Sequence, residues 1–215
     1  MVRHALFDLD NTLYDDPRHR DEMDDRIERF FQERLSLDPG SAHETRVRYR
    51  NAYGTALRGL MIHHAMSPAD FLEYVHQGLP VGPLRPRPGV REALRGSGMP
   101  ASIFSNAPEE YVARMLEALG LSDLFPRVFG IASTGYVGKP NREAYDRVLS
   151  ALGLAGADCL LVEDMVFNLG PAKACGMATV YLGADALSPE RRAWVDFQIS
   201  SFEELPVALE KLRAG

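Results

Sequence analysis

At 215 residues, 46% hydrophobic and 25% charged, the chain has an ordinary globular composition, with room for one good core and a small accessory domain. Its formal net charge of -6 argues against a nucleic acid or an anionic membrane as a partner held by bulk electrostatics. No segment approaches the roughly 18 apolar residues of a membrane span, and Met1-Val2-Arg3-His4-Ala5-Leu6-Phe7-Asp8 brings an acid too early for a signal peptide. Cys159 and Cys175 sit in apolar contexts without metal-ligand spacing, so they read as buried free thiols, and a cytoplasmic protein without zinc is expected.

The first predicted element is a strand in His4-Ala5-Leu6-Phe7, which stops on Asp8 and Asp10 before an Asn11-Thr12 turn. Side chains alternate along a strand, so two acids spaced i, i+2 lean to one side, where they are costly unless a cation or a shared proton relieves them. From Tyr14 to about Leu84 the pattern turns helical and Arg-rich. Met23, Ile27, Phe30 and Phe31 mark the apolar face of a first helix. After Asp38-Pro39-Gly40-Ser41, a second long helix is expected to run through Tyr49, Tyr53, Leu57 and Leu60. Ser67-Pro68-Ala69-Asp70 reads as the start of a third, Phe71 to His76. A Pro-dense connector, Leu79 to Gly89, then closes what reads as an all-helical insert.

Beyond it strands and helices alternate. Strands are expected at Met99–Phe104, Val128–Ala132, Asp158–Val162, Ala178–Leu182 and Phe197–Ser200. The helices between and after them are Val90–Arg95, Pro108–Leu119, Asn141–Leu152, Leu169–Cys175 and Glu203–Leu212. Such alternation implies parallel βαβ units in an α/β, doubly wound (Rossmann-like) parallel sheet, interrupted by the helical insert. The expected division is an α/β core from residues 1–14 and 85–215 and a helical cap from residues 15–84.

Ligands of such sheets sit beyond the carboxyl ends of the strands. Asp8 and Asp10, Ser105 and Asn106, and Glu163 and Asp164 fall there, and Lys139 lies in a loop that opens a helix. Each residue has a bland alternative: Ser105 as a helix cap, Lys139 as a solvated cation, Glu163-Asp164 as a capping pair. Together the bland alternatives leave several carboxylates meeting with nothing to hold them. Converging carboxylates share protons or bind a hard dication through oxygen, and Mg²⁺ fits. With only three lysines against 21 arginines, Lys139 is the more informative, and beside a helix N-terminus it suits a phosphate group.

The motifs Asp8-Leu9-Asp10-Asn11-Thr12, Ser105-Asn106, Lys139-Pro140 and Glu163-Asp164 with Asn168, in this order, resemble those of the haloacid dehalogenase (HAD) superfamily of phosphohydrolases, and the resemblance covers the whole chain. A closer similarity is to the pyrimidine 5′-nucleotidase-like branch. It rests on Asp10-Asn11-Thr12-Leu13-Tyr14, Tyr53-Gly54-Thr55-Ala56-Leu57-Arg58-Gly59-Leu60 with His64, Leu79-Pro80, Phe104-Ser105-Asn106-Ala107, and Asn168-Leu169-Gly170 leading to Gly176-Met177. The chain departs from that branch at Glu163, where Asp is usual, and at Ser105, where Thr is commoner.

The resemblance implies a phosphatase for small phosphate monoesters, with a nucleoside 5′-monophosphate the leading substrate. Asp8 is then the nucleophile that becomes an aspartyl-phosphate, and Asp10 the general acid and base. Ser105, Asn106 and Lys139 would hold the phosphoryl oxygens. Mg²⁺ would be bound by Asp8, the backbone carbonyl of Asp10, and Asp164, with Glu163 orienting. Arg58 and His64 in the cap, and Tyr14 at the hinge, are the specificity candidates. Phosphoglucomutase-like transfer, a dehalogenase, and a non-catalytic phosphate-binding regulator are the alternatives.

Overall fold

β1 (His4–Phe7) forms the middle of the molecule, buried at every residue. The structure, a computed structural model, describes residues 2–82 and 84–214. Met1, Gly215 and Pro83, the last a member of the expected connector, lie outside the described residues. Five further strands follow: β2 (Ala101–Phe104), β3 (Arg127–Phe129), β4 (Cys159–Glu163), β5 (Ala178–Leu182) and β6 (Phe197–Ile199). All pair in parallel in the order β3-β2-β1-β4-β5-β6. The chain therefore reverses its winding at β1, between β2 and β4, and the crevice at that reversal is where a doubly wound sheet takes a ligand.

Alternation along β1 sends Ala5 and Phe7 to one face and Leu6 to the other. On the first face pack α5 (Val90–Ser97), α6 (Glu109–Ala118) and α10 (Leu205–Ala214). On the second pack α7 (Arg142–Leu152) and α8 (Val166–Ala174). A short α9 (Pro189–Arg192), which the sequence does not announce, precedes β6. Burial on both faces explains why β1 and β4 read as continuous apolar runs.

Between β1 and α5 lie α1 (Pro17–Leu35), α2 (Pro39–Tyr53), α3 (Ala56–His64) and α4 (Pro68–His76), with a hydrophobic cluster of their own. Phe30 and Phe31, fully buried there, are worth about 1.5–3 kcal/mol each by area removed from water. Asp16 and Asp38 accept from the first backbone amides of α1 and α2. Ser67 stands at the N-cap of α4, yet its hydroxyl makes no capping bond, so the start rests on Pro68 at the first helical position and on Asp70 in the first turn. The expected single helix through Leu60 is two helices. Gly54 adopts φ +86°, which ends α2, and Thr55 restarts the chain by accepting from Arg58 N. A Cβ at Gly54 would lie 2.9 Å from the Lys139 carbonyl, so this break is also where the helical insert meets the sheet's loops. The two segments that connect the insert to the sheet are joined by an isolated bridge between Tyr14 and Pro86 and by Arg87 N donating to the Leu13 carbonyl at 2.8 Å. No helix among the described residues is long and apolar enough to cross a membrane.

Candidate active site

Asp8 follows the last residue of β1, its amide donating to the Val162 carbonyl at 3.0 Å, so it is carried alongside the end of β4. Glu163 ends β4 and Asp164 follows it. Oxygens of Asp8, Glu163 and Asp164 all lie within 4.8 Å of one another. Lys139 enters from the loop before α7, and Nζ donates to Asp8 Oδ1 and to Glu163 Oε2, both at 2.7 Å. The Thr12 hydroxyl, 3.3 Å from Asp8 Oδ2 and 3.1 Å from Asp164 Oδ1, can donate to one of them at a time. Asn11 holds φ +62° in this turn, a left-handed conformation that Asn tolerates better than most residues.

One buried cation does not balance three acids. Burial, together with Glu163, pushes the Asp8 carboxyl up to about 6, although Lys139 pulls the other way. Burial, Glu163 and Asp8 push Asp164 up to about 9. For Lys139, burial alone would lower the ammonium, but Asp8 and Glu163 together outweigh it and hold the group charged. The donor set is all carboxylate oxygen, the chemistry that hard dications prefer, so Mg²⁺ fits these residues.

Asp10 has partners of its own outside that cluster. Its Oδ1 accepts from the Tyr14 hydroxyl and, at 2.9 Å, from the Tyr111 hydroxyl on α6. Behind Tyr111 stands His19 of α1, with Nε2 2.8 Å from the phenol oxygen and Nδ1 donating to the Pro80 carbonyl at 3.0 Å. Burial and the nearby Asp8 raise the Asp10 carboxyl against the lowering effect of the two tyrosines.

Ser105 and Asn106 follow β2 as expected, but their side chains divide the work. Ser105 Oγ accepts from Ala107 N at 3.1 Å, which leaves the hydroxyl proton free to donate. Asn106 uses both ends of its amide on the Lys139 backbone, accepting from N at 2.7 Å and donating to O at 3.0 Å. These two bonds fix the loop that carries Lys139. At the first turn of α6, Glu109 accepts from Gly130 N and from the Ser133 amide and hydroxyl, tying the β2 and β3 loops together.

A cavity of about 220 Å³ lies between the helical insert and the strand ends, with Asp10 and Asn106 on its floor. Its walls come from α1, α2, the start of α3, and α4. None of the three expected specificity residues lines it. Arg58 borders a separate cleft with Tyr53, Pro140 and Asn141. His64 is exposed at the end of α3, its Nε2 2.8 Å from the Tyr49 hydroxyl. Tyr14 is buried against Asp10 and Tyr111, where it holds a carboxyl and meets no open space. Arg46 and Arg50 line the cavity instead. Their i, i+4 spacing was visible, but in so arginine-rich a chain it does not stand out.

The family model for haloacid dehalogenase-like hydrolases matches residues 2–176. The chain is 25% identical to the protein YhcW of Bacillus subtilis strain 168, over 97% of this chain and 96% of that one. It is 33% identical to a phosphoglycolate phosphatase of Pseudomonas savastanoi pv. phaseolicola, over 44% of this chain and only 36% of the relative. Among solved structures, a haloacid dehalogenase-like family hydrolase from Xanthomonas campestris superposes with a TM-score of 0.66 at 20% identity, covering 99% of this chain and 92% of that one. That likeness concerns the fold.

Proposed function

The chain belongs to the haloacid dehalogenase-like hydrolases, and from that premise we propose that it is a Mg²⁺-dependent phosphatase of small phosphate monoesters, acting through an aspartyl-phosphate on Asp8. The observation that carries the reading is that two neighbouring acids have separate sets of partners. Asp8 lies with Lys139, Glu163 and Asp164, while Asp10 points to the cavity side, held by two tyrosines.

On this reading Asp8 attacks phosphorus, and Lys139 offsets its charge while donating to a phosphoryl oxygen. The free proton of Ser105 donates to another. Asp10 stands where the leaving alkoxide departs, gives it a proton, and then takes one from the water that hydrolyses the aspartyl-phosphate. Asp8, Asp164 and the backbone carbonyl of Asp10 would hold Mg²⁺, with Glu163 kept in place by Lys139. When bound, the ion supplies the positive charge that three crowded acids and a phosphate dianion require. Residues 15–84 act as a cap that covers the mouth and excludes water. The phosphatase name of a relative, and an oxygen-only donor set, support this reading. The free thiols support a cytoplasmic setting.

A phosphate-release screen over nucleoside 5′-monophosphates, sugar phosphates and short phosphorylated acids, with magnesium added, tests it. Release that EDTA abolishes and that Asp8→Asn lacks is expected. No release from any ester, or parental turnover by Asp8→Asn, overturns it; transfer between sugar hydroxyls without release points to a mutase instead.

A further inference from the structure

The cavity above Asp10 is walled mainly by apolar side chains, among them Met23, Ile27, Leu57, Phe71, Val75 and Ile131. Its polar wall groups are Asp24, Arg46, Arg50, Thr55, His76 and Asn106, and most of them already have protein partners. Thr55 accepts from Arg58 N at 3.1 Å, which leaves only its hydroxyl proton for a guest. Asn106 is committed to the Lys139 backbone at both ends. Arg46 is paired through its two terminal nitrogens, with Asp24 at 2.7 Å and Glu28 at 3.1 Å, so its charge is offset, although its buried Nε has no partner. His76 donates from Nδ1 to the Leu72 carbonyl at 3.0 Å, and burial keeps its ring neutral. Arg50, one turn of α2 beyond Arg46, is different: among the described residues its guanidinium has no ion pair or hydrogen-bond partner, and it lines the same space.

An apolar chamber with a reactive carboxyl at its floor and one uncompensated guanidinium on its wall selects a guest with three parts. The phosphoryl group lies at the floor, the body is hydrocarbon, and an anionic group at the other end meets Arg50. We infer that the leaving group of the substrate is an apolar chain carrying a carboxylate, and that Arg50 is the residue that selects for it. This rests on the phosphatase reading of the same site and narrows its substrate class. A sugar or other polyhydroxylated alcohol is disfavoured, because most of its hydroxyls would be desolvated against the apolar side chains of the wall.

The test compares kcat/KM for three esters: hexyl phosphate, 6-phosphonooxyhexanoate, and glucose 6-phosphate as the polar control, with p-nitrophenyl phosphate as the generic substrate. A charge-assisted hydrogen bond to a carboxylate is commonly worth about tenfold or more in affinity. The carboxylate ester is therefore expected to exceed hexyl phosphate by at least about tenfold. Arg50→Met should bring that ratio close to one, Arg50→Lys should restore part of it, and Arg58→Met should leave it in place. Arg50 is exposed on a helix surface, so the variants are expected to fold, and circular dichroism checks that they do. Equal parental values for the two hexyl esters, a ratio that survives Arg50→Met, or a preference for glucose 6-phosphate overturns the inference while the phosphatase reading stands. Absence of release from every ester, p-nitrophenyl phosphate included, overturns both.

Discussion

Tyr111, on α6, donates its hydroxyl proton to Asp10 Oδ1 at 2.9 Å, across 101 positions of sequence. With Tyr14 on the same oxygen, the carboxyl is held in one orientation where it borders the cavity. His19 of α1 backs Tyr111, so a residue of the helical insert completes the support of a core carboxyl.

That support is expected to matter in proportion to how much the leaving group needs a proton. Tyr111→Phe should lower kcat for alkyl phosphates by about tenfold, the scale of a displaced general acid. It should change kcat for p-nitrophenyl phosphate, whose phenolate leaves unaided, by much less. Parallel kinetics on the two esters check this, and equal losses would mean that Tyr111 serves only the fold.

Lys139 and Asp8 give the contrasting prediction. Lys139→Met removes the cation shared by two buried carboxylates and leaves three acids together, so it should cost about 3–5 kcal/mol of stability. Added Mg²⁺ should restore part of that loss by binding the folded state alone. Asp8→Asn removes one of the crowded acids, so turnover should vanish while stability holds within about 1 kcal/mol. Urea denaturation of each variant with and without Mg²⁺ measures both effects.

His76 should leave a signature in the acid limb of stability. Burial holds its pKa down to about 4, against about 6.5 for an unfolded histidine. Between those values the unfolded chain binds a proton that the folded chain refuses, so stability rises with pH across the window and falls as pH drops through it. The loss amounts to at most about 3 kcal/mol by pH 4. The raised carboxyls Asp8, Asp10 and Asp164 act with the opposite sign, so the difference between the parent and His76→Gln is the quantity to follow. A difference curve flat from pH 6.5 to 4 would show that the ring titrates freely.

Gly54 marks the seam between the helical insert and the sheet. Its φ of +86° is strained for any L side chain, and a Cβ would press on the Lys139 carbonyl and the Pro140 ring. Gly54→Ala is expected to cost about 1–3 kcal/mol and to lower the thermal midpoint accordingly. An unchanged midpoint would mean that the seam opens without penalty.

Much of this protein was legible before folding. Apolar runs that stop on Asp8-Leu9-Asp10, Ser105-Asn106 and Glu163-Asp164 are strand ends, because a buried strand is a local pattern and its exit to polar residues marks where the sheet's rim must lie. Lys139 stood out because the chain otherwise prefers arginine. Tyr49, Tyr53, Leu57 and Leu60 keep helical spacing across the break, so the sequence predicts one helix there, and Gly54-Thr55 is the break's local mark.

The rest needed the third dimension. Tyr111 lies on a helix face with Val112 and Met115 and reads as core packing, since nothing in its neighbourhood along the chain names Asp10 as its partner. Asn106 reads from the sequence as a residue of the strand end alone, and only the fold shows its side-chain amide bound to the Lys139 backbone. Arg46 and Arg50 were two arginines among many until Asp24 and Glu28 took one and left the other. A sequence determines where polar atoms must leave the core, because that follows from periodicity. Which of those atoms are already satisfied depends on neighbours that only the folded chain brings within about 3 Å.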